Sequence, residues 1–153
     1  MIPHKPMEWF DAEEMHEHSK EWFSELSFIK DEQHFLNKLI TSFAIKPLDK
    51  EAFKQLDDFK KAIAENQNRL IIIFKQVQKH MNQLEIMVDS VNQLEMERAY
   101  RKTHKKLFKE VNRFRVDFRT IKQRGFAKLG FLLKKDKKIT LGNPDYKLRV
   151  PEP

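Results

Sequence analysis

Cysteine is absent from this chain of 153 residues. Its absence excludes disulfides, thiolate metal ligands and a cysteine nucleophile, and it is the usual condition of a cytosolic protein. Long apolar runs are also missing, since the longest, residues 70–74, is far shorter than the ~20 residues that cross a bilayer. The amino terminus lacks the apolar segment of a signal peptide. We therefore expect a cytoplasmic protein without membrane insertion.

Glycine and proline are scarce, with three and six copies, and neither occurs between Pro47 and Gly125. This interval predicts helices and tight turns only. A first helix is predicted from about Asp11 to Phe43. The pair Lys46-Pro47 ends it, because the residue before a proline is pushed out of the helical conformation.

Two further helices follow from capping residues. Asp49 is a residue type that caps a helix start, so we expect the second helix to run from there to about Val88. After it, Ser90 and Gln93 have the spacing of the capping box that begins a helix. The third helix is predicted to run to about Arg124 or one or two turns beyond.

Apolar residues recur three and four apart along each predicted helix, which is the spacing of one helical face. The first face contains Met15, His18, Trp22, Leu26, Ile29, Gln33, Leu36, Ile40 and Phe43. The second contains Leu56, Ile63, Gln67, Leu70, Phe74, Val77, Met81, Leu84 and Val88, with Lys60 as a charged exception. The third contains Tyr100, His104, Leu107, Val111, Phe114, Phe118 and Ile121. Polar residues in such faces, such as Gln33 and Gln67, commonly set register.

Short connections between long helices favour antiparallel neighbours. The sequence therefore predicts an all-α fold over residues 1–138, an elongated up-down-up bundle of three long helices with coiled-coil-like packing. The wide apolar faces and 13 Phe would also suit a core that is completed by self-association. Residues 139–153 contain the turn-forming sequence Gly-Asn-Pro and predict an irregular C-terminal tail.

Positive charge is concentrated in the third helix. Residues 98–138 hold 16 Lys or Arg and three acids, whereas residues 1–97 hold 12 basic and 18 acidic residues. The cations expected opposite the apolar face, on its flank or in the basic segment that follows are Arg98, Arg101, Lys102, Lys105, Lys109, Arg113, Lys134, Lys135, Lys137 and Lys138. Such a surface would attract the phosphates of nucleic acid or another polyanion.

The same charges are also typical of a solvated helix face, and the chain offers an internal partner. Between Glu8 and Glu32 the first helix holds nine acids against two lysines. The first and third helices run parallel in an up-down-up bundle, so these acids would lie beside the basic start of the third helix. No helix-turn-helix, zinc-finger spacing or strand-borne aromatic residue indicates sequence-specific reading of nucleic acid.

Residue counts from the two predicted turns place His18, His80 and His104 in one layer of the bundle. Three imidazoles, with Glu14 or Glu97 nearby, would ligate zinc or iron, as histidine and carboxylate sets do in helical di-iron proteins. The chain lacks the Glu-x-x-His pairs of those proteins. The alternative is that each histidine is bonded to a neighbouring side chain.

No glycine-rich phosphate loop and no nucleophile elbow occurs, so we expect neither an enzyme nor a bound cofactor. The first hypothesis for function is an interaction or scaffold protein that works through a homo-oligomer or a protein partner. The second is binding of nucleic acid or another polyanion through the third helix and the basic tail. The third is a metal site held by the three histidines.

Overall fold

The protein is a bundle of three long helices. The structure, a computed structural model, describes residues 10–88 and 94–141, with the side chains of 94–95 and 135–141 set aside. It contains α1 (Ala12–Ala44), α2 (Lys50–Val88) and α3 (Leu94–Leu141). The predicted all-α up-down-up bundle is confirmed. None of these helices has an apolar stretch long enough to cross a membrane in the part of the chain that the structure describes.

The first two helices begin where the sequence predicted, and an aspartate caps each of them. The Asp11 carboxylate accepts a 2.8 Å hydrogen bond from the backbone N–H of Glu14. Asp49 accepts one of the same length from the backbone N–H of Ala52. Each bond satisfies an N–H group that has no partner within its helix. At its other end α1 stops at Ala44, one residue after the predicted end at Phe43.

The third helix is longer than predicted and continues through Gly125 to Leu141. Gly125 is buried, and a Cβ atom added there would overlap the aromatic ring of Phe59 on α2. This glycine therefore permits a close approach of two helices and does not end one.

Part of the predicted organisation lies outside the described residues. The capping box at Ser90 and Gln93 is one such part, and residues 142–153 of the predicted tail are the other. The first three residues of that tail, 139–141, belong to α3.

The apolar face of α1 agrees with the sequence pattern, because each predicted residue is buried except His18, which is half-buried. The face of α3 is likewise as predicted, with Tyr100 and Ile121 half-buried at its edges. The inner face of α3 extends further along the helix, through Leu129 and Leu132.

The predicted face of α2 is half wrong. Leu56, Ile63, Leu70, Val77 and Leu84 are buried as expected. The other buried residues after Leu56 are Phe59, Asn66, Ile73, His80 and Met87, whereas Lys60, Gln67, Phe74, Met81 and Val88 are half-buried or exposed. The reason is that α2 packs against both other helices, while α1 and α3 approach each other less closely. The buried line faces α3 at Phe59 and His80, and this choice depends on tertiary packing rather than on local hydrophobicity.

The buried apolar residues form two separate clusters. The main core fills most of the bundle, from Trp22, Val77 and Leu107 to Leu132 at the far end. The smaller end cluster consists of Phe10, Ala12, Met15, Leu84 and Met87, with Tyr100 packed against it. The buried residue between the two clusters is His80 on α2 and His104 on α3, whereas on α1 the buried Ser19 and the half-buried His18 lie between them.

A buried amide pair joins α1 to α2 inside the main core. Gln33 Nε2 donates a 2.8 Å hydrogen bond to Asn66 Oδ1, and both residues are buried. An unpaired buried amide would cost free energy, so the pair favours one register of the two helices. Asn66 was not singled out in the sequence, because the expected polar residue at this level was Gln67.

We expect Gly125→Ala to lower the free energy of unfolding by about 1–3 kcal/mol, because the added methyl overpacks the buried ring of Phe59. Gly130→Ala is a matched control, since a Cβ atom at Gly130 meets no atom within 4 Å. Its better helix propensity should raise stability by about 0.5–1 kcal/mol. Urea unfolding followed by circular dichroism measures both variants. Equal stability of the two would contradict the close approach at Gly125.

Candidate functional site

The three predicted histidines meet at one level of the bundle. His18 Nδ1 lies 3.3 Å from His104 Nε2, and His80 Nε2 lies 2.9 Å from His104 Nδ1. One ring comes from each helix, with His104 of α3 in the middle. We call this hydrogen-bonded line the histidine row.

Aromatic rings enclose the histidine row. His104 and His80 are 0% and 1% exposed, and His18 is half-buried. The Trp22 ring stacks on His104 with a centroid separation of 4.5 Å and an interplanar angle of 25°. Tyr100 meets His80 edge-on at 6.3 Å. The central and inner rings are therefore removed from water.

Burial keeps the inner rings of the histidine row neutral. It lowers the pKa of His80 from 6.5 to about 4. The pKa of His104 falls to about 3, first through burial and then through repulsion from charge on His80 and His18. At pH 7 both rings therefore carry one N–H donor and one acceptor nitrogen each.

The histidine row differs from the geometry of a single metal centre. His104 turns opposite nitrogens to its two neighbours, so these atoms do not converge on one point as metal ligands do. Within residues 10–88 and 96–134, no three His, Cys, Asp or Glu side chains are placed to hold a metal ion. Glu97 binds Arg101, with 3.3 Å between Oε2 and Nη2. The arrangement favours the alternative that the histidines are bonded to one another.

The second candidate site is a line of cations on the outer side of α3. Its members, which we call the cationic strip, are Arg98, Lys102, Lys105, Lys109 and Arg113, and all are exposed. The line extends over about 22 Å at 1.5 Å per residue. In the part of the chain that the structure describes, no carboxylate lies within ion-pair distance of any of the five.

The other predicted cations have different surroundings. Arg101 is half-buried, and its Nε donates a 2.9 Å hydrogen bond to the carbonyl oxygen of Phe10. With its bond to Glu97, this contact gives Arg101 a structural role at the end of the bundle. Lys134 is exposed. The side chains of Lys135, Lys137 and Lys138 lie outside the described residues.

The acids of α1 bind cations other than those of the cationic strip. Glu25 Oε2 lies 2.5 Å from Arg115 Nη1, and Glu32 Oε2 lies 2.7 Å from Lys122 Nζ. Arg115 and Lys122 were not predicted as partners. The two acids are seven residues apart in the sequence, and so are the two cations, and this shared spacing could have revealed the pairs. Among the described residues, internal pairing thus reaches the flank of α3 and leaves the cationic strip without a carboxylate partner.

We expect the free energy of unfolding to decrease as the pH falls below 6.5. The unfolded chain protonates His80 and His104 near pH 6.5, whereas the folded chain keeps them neutral down to pH values of about 4 and 3. Above pH 6.5 neither group lowers the free energy of unfolding. Below pH 6.5 each group lowers it by about 1.4 kcal/mol per pH unit, until the pH reaches the pKa of that group in the folded chain. Urea unfolding at about pH 7.5, where no stability is lost, and at about pH 6 and 5, where the loss has begun, measures this effect.

Two variants assign this loss to the histidine row. His34→Gln removes an exposed histidine and should leave the pH dependence unchanged. His80→Gln should remove at least half of it, because one buried imidazole no longer titrates. The same pH dependence in both variants would contradict this assignment.

Comparison with known proteins adds no functional assignment. No protein-family model, no curated protein and no solved structure matches the chain. Function must therefore be inferred from the residues of the histidine row and the cationic strip.

Proposed function

We propose that this protein binds nucleic acid through the phosphate backbone, with the cationic strip as the contact surface. One observation carries the proposal: the five exposed cations of the strip lie in one line without a carboxylate partner among the described residues. An unneutralised line of cations attracts phosphates by long-range attraction and by release of counterions.

The composition of the cationic strip favours contacts that do not depend on nucleotide sequence. Its members are Lys and Arg on one side of one helix, and a straight helix of this length can follow a phosphate backbone. Contacts to phosphates fix position and carry no direct sequence information. The protein would thus act as a rigid helical module that holds a nucleic acid at its surface.

The ion pairs of α1 support placing this function before association with a protein partner. The sequence offered two explanations of the basic start of α3, a polyanion partner and neutralisation by α1. Glu25 and Glu32 bind Arg115 and Lys122 instead. No carboxylate in the described part of the bundle therefore neutralises the charge of the cationic strip.

We expect the triple variant Lys102→Glu, Lys105→Glu and Lys109→Glu to bind a short DNA duplex roughly 100-fold more weakly at about 0.1 M salt, where the Debye length is about 10 Å. The reason is that three of the five phosphate contacts become repulsive. The matched control changes Lys54, Lys75 and Lys79, which are exposed on α2, to Glu. It alters the net charge equally and should keep most of the affinity. Fluorescence anisotropy with a labelled duplex measures both variants. Equal losses, or binding to anionic vesicles without binding to duplex, would contradict the proposal.

A second candidate function is self-association through the side of the bundle between α1 and α3. Phe28 and Phe35 lie seven residues apart on α1 and are 67% and 60% exposed. Phe126 on α3 is 49% exposed. Because α1 and α3 approach each other less closely than either approaches α2, a second copy could cover these rings.

We expect Phe28→Ser combined with Phe35→Ser to reduce the mass found by light scattering toward that of one chain, since the variant removes two of the three exposed phenylalanine rings named on this side. The control combines Phe53→Ser with Ile71→Ser, which are 61% and 53% exposed on α2. It should leave the mass unchanged. A wild-type protein that has the mass of one chain at every concentration would contradict self-association.

A further inference from the structure

The histidine row has only two possible directions when all three rings are neutral, because each ring then donates one hydrogen bond and accepts one. If donation runs from His18 toward His80, the last N–H is at His80 Nδ1. That atom is buried and has no hydrogen-bond partner in the part of the chain that the structure describes. If donation runs from His80 toward His18, the last N–H is at Nε2 of His18, whose ring is half-buried.

The second direction is favoured. A buried N–H without an acceptor is rare in native proteins, while an acceptor that lacks a donor is tolerated more often. In the favoured direction His80 Nδ1 keeps a lone pair, and every N–H that is enclosed in the row has an acceptor. His80 Nε2 donates to His104 Nδ1, and His104 Nε2 donates to His18 Nδ1.

An additional proton finds no suitable place in this row. On His80 Nδ1, which keeps a lone pair, it would be buried without an acceptor among the described residues. On His104 Nδ1 it would face the N–H of His80 across 2.9 Å. On His18 Nδ1 it would face the N–H of His104 across 3.3 Å. Reversal of the whole row would accommodate a charged His18, but it would leave an N–H on the buried Nδ1 of His80 without an acceptor.

We propose that the histidine row is a proton-operated latch on one end of the bundle. In its neutral form, with donation from His80 through His104 to His18, it holds the end cluster closed, and uptake of a proton releases that end while the main core stays folded.

The division of the core explains why opening is local. The end cluster has five buried residues and lies on one side of the row, whereas the larger main core lies on the other. Loss of the row therefore separates a small group of contacts from a large one. Local openings of this kind expose the least stable part of a protein first.

Few other titratable groups surround the histidine row. On α1, Glu14 is one turn before His18 and half-buried. On α2, the nearest titratable residues to His80 along the chain, Lys79 and Glu85, are exposed. On α3, Tyr100 contacts His80, and the pair of Arg101 with Glu97 lies one to two turns before His104. His80 and His104 are therefore the buried groups that take up a proton when this end opens between pH 7.5 and 5.5, about one unit either side of the ordinary histidine pKa.

The direction of the row can be read from the ring nitrogens. In a long-range proton–nitrogen correlation spectrum of ¹⁵N-labelled protein near neutral pH, we expect neutral rings with the proton on Nε2 of His18, His80 and His104. A proton on Nδ1 of His80 or His104 would overturn the proposed direction.

Hydrogen exchange tests the local release. At pH 5.5, about one unit below the ordinary histidine pKa, protection of residues 12–22 and 80–88 should fall about tenfold for each buried histidine that is released, after correction for intrinsic exchange rates. Residues 107–118 of the main core should stay protected. An equal loss of protection in residues 107–118, or no loss at either place, would overturn the latch.

Two substitutions at one position separate the latch from the mere loss of a titrating group. In His80→Gln the amide oxygen can accept a hydrogen bond from His104 Nδ1, so a protonated His104 has an acceptor for each N–H. His80→Leu offers no acceptor. We expect residues 12–22 to keep most of their protection at acidic pH in His80→Gln, and to lose about tenfold in His80→Leu. Equal responses would overturn the proposal, because both variants lack the same histidine.

Discussion

The structure depends on the way in which α2 shares one apolar face between two helices. Its line from Leu56 to Leu84 is buried, and the residues between these positions determine the contacts with α1 and α3. Polar residues on this face fix the heights of the helices, because each must meet its partner at one level. Asn66 meets Gln33 of α1, and His80 meets His104 of α3. A shift of one turn would leave these buried groups unpaired, which costs more than the exchange of one apolar contact for another.

Much of the fold follows from the sequence, and the exceptions have physical causes. The face of α1 and the ends of the first two helices could be read directly, because period, proline and capping residues are local properties. The choice between Asn66 and Gln67, or between His80 and Met81, depends on which side of α2 the third helix covers. Gly125 was predicted near a helix end because glycine commonly ends helices. Its actual role, to let α3 approach Phe59 of α2 closely, depends on tertiary packing and cannot be read from the local sequence.

The candidate sites show a similar division. Counting along the helices placed the three histidines at one level, but ring orientation decides whether their nitrogens converge on an ion or join in a row. Charge counting placed cations on the outside of α3 and acids on α1. Angular position decides which of them meet, and the partners of Glu25 and Glu32 are on the flank of α3. The inner face of α3 therefore maintains the bundle, while the cationic strip on its outer face has no carboxylate partner among the described residues.

The most direct test of the proposed function is the salt dependence of binding to a short DNA duplex. If the five cations of the strip each contact a phosphate, the logarithm of the binding constant should fall with the logarithm of the salt concentration with a slope of about −4 to −5. A wild-type slope near zero, or no binding at low salt, would contradict the central claim that the outer face of α3 binds a polyphosphate backbone.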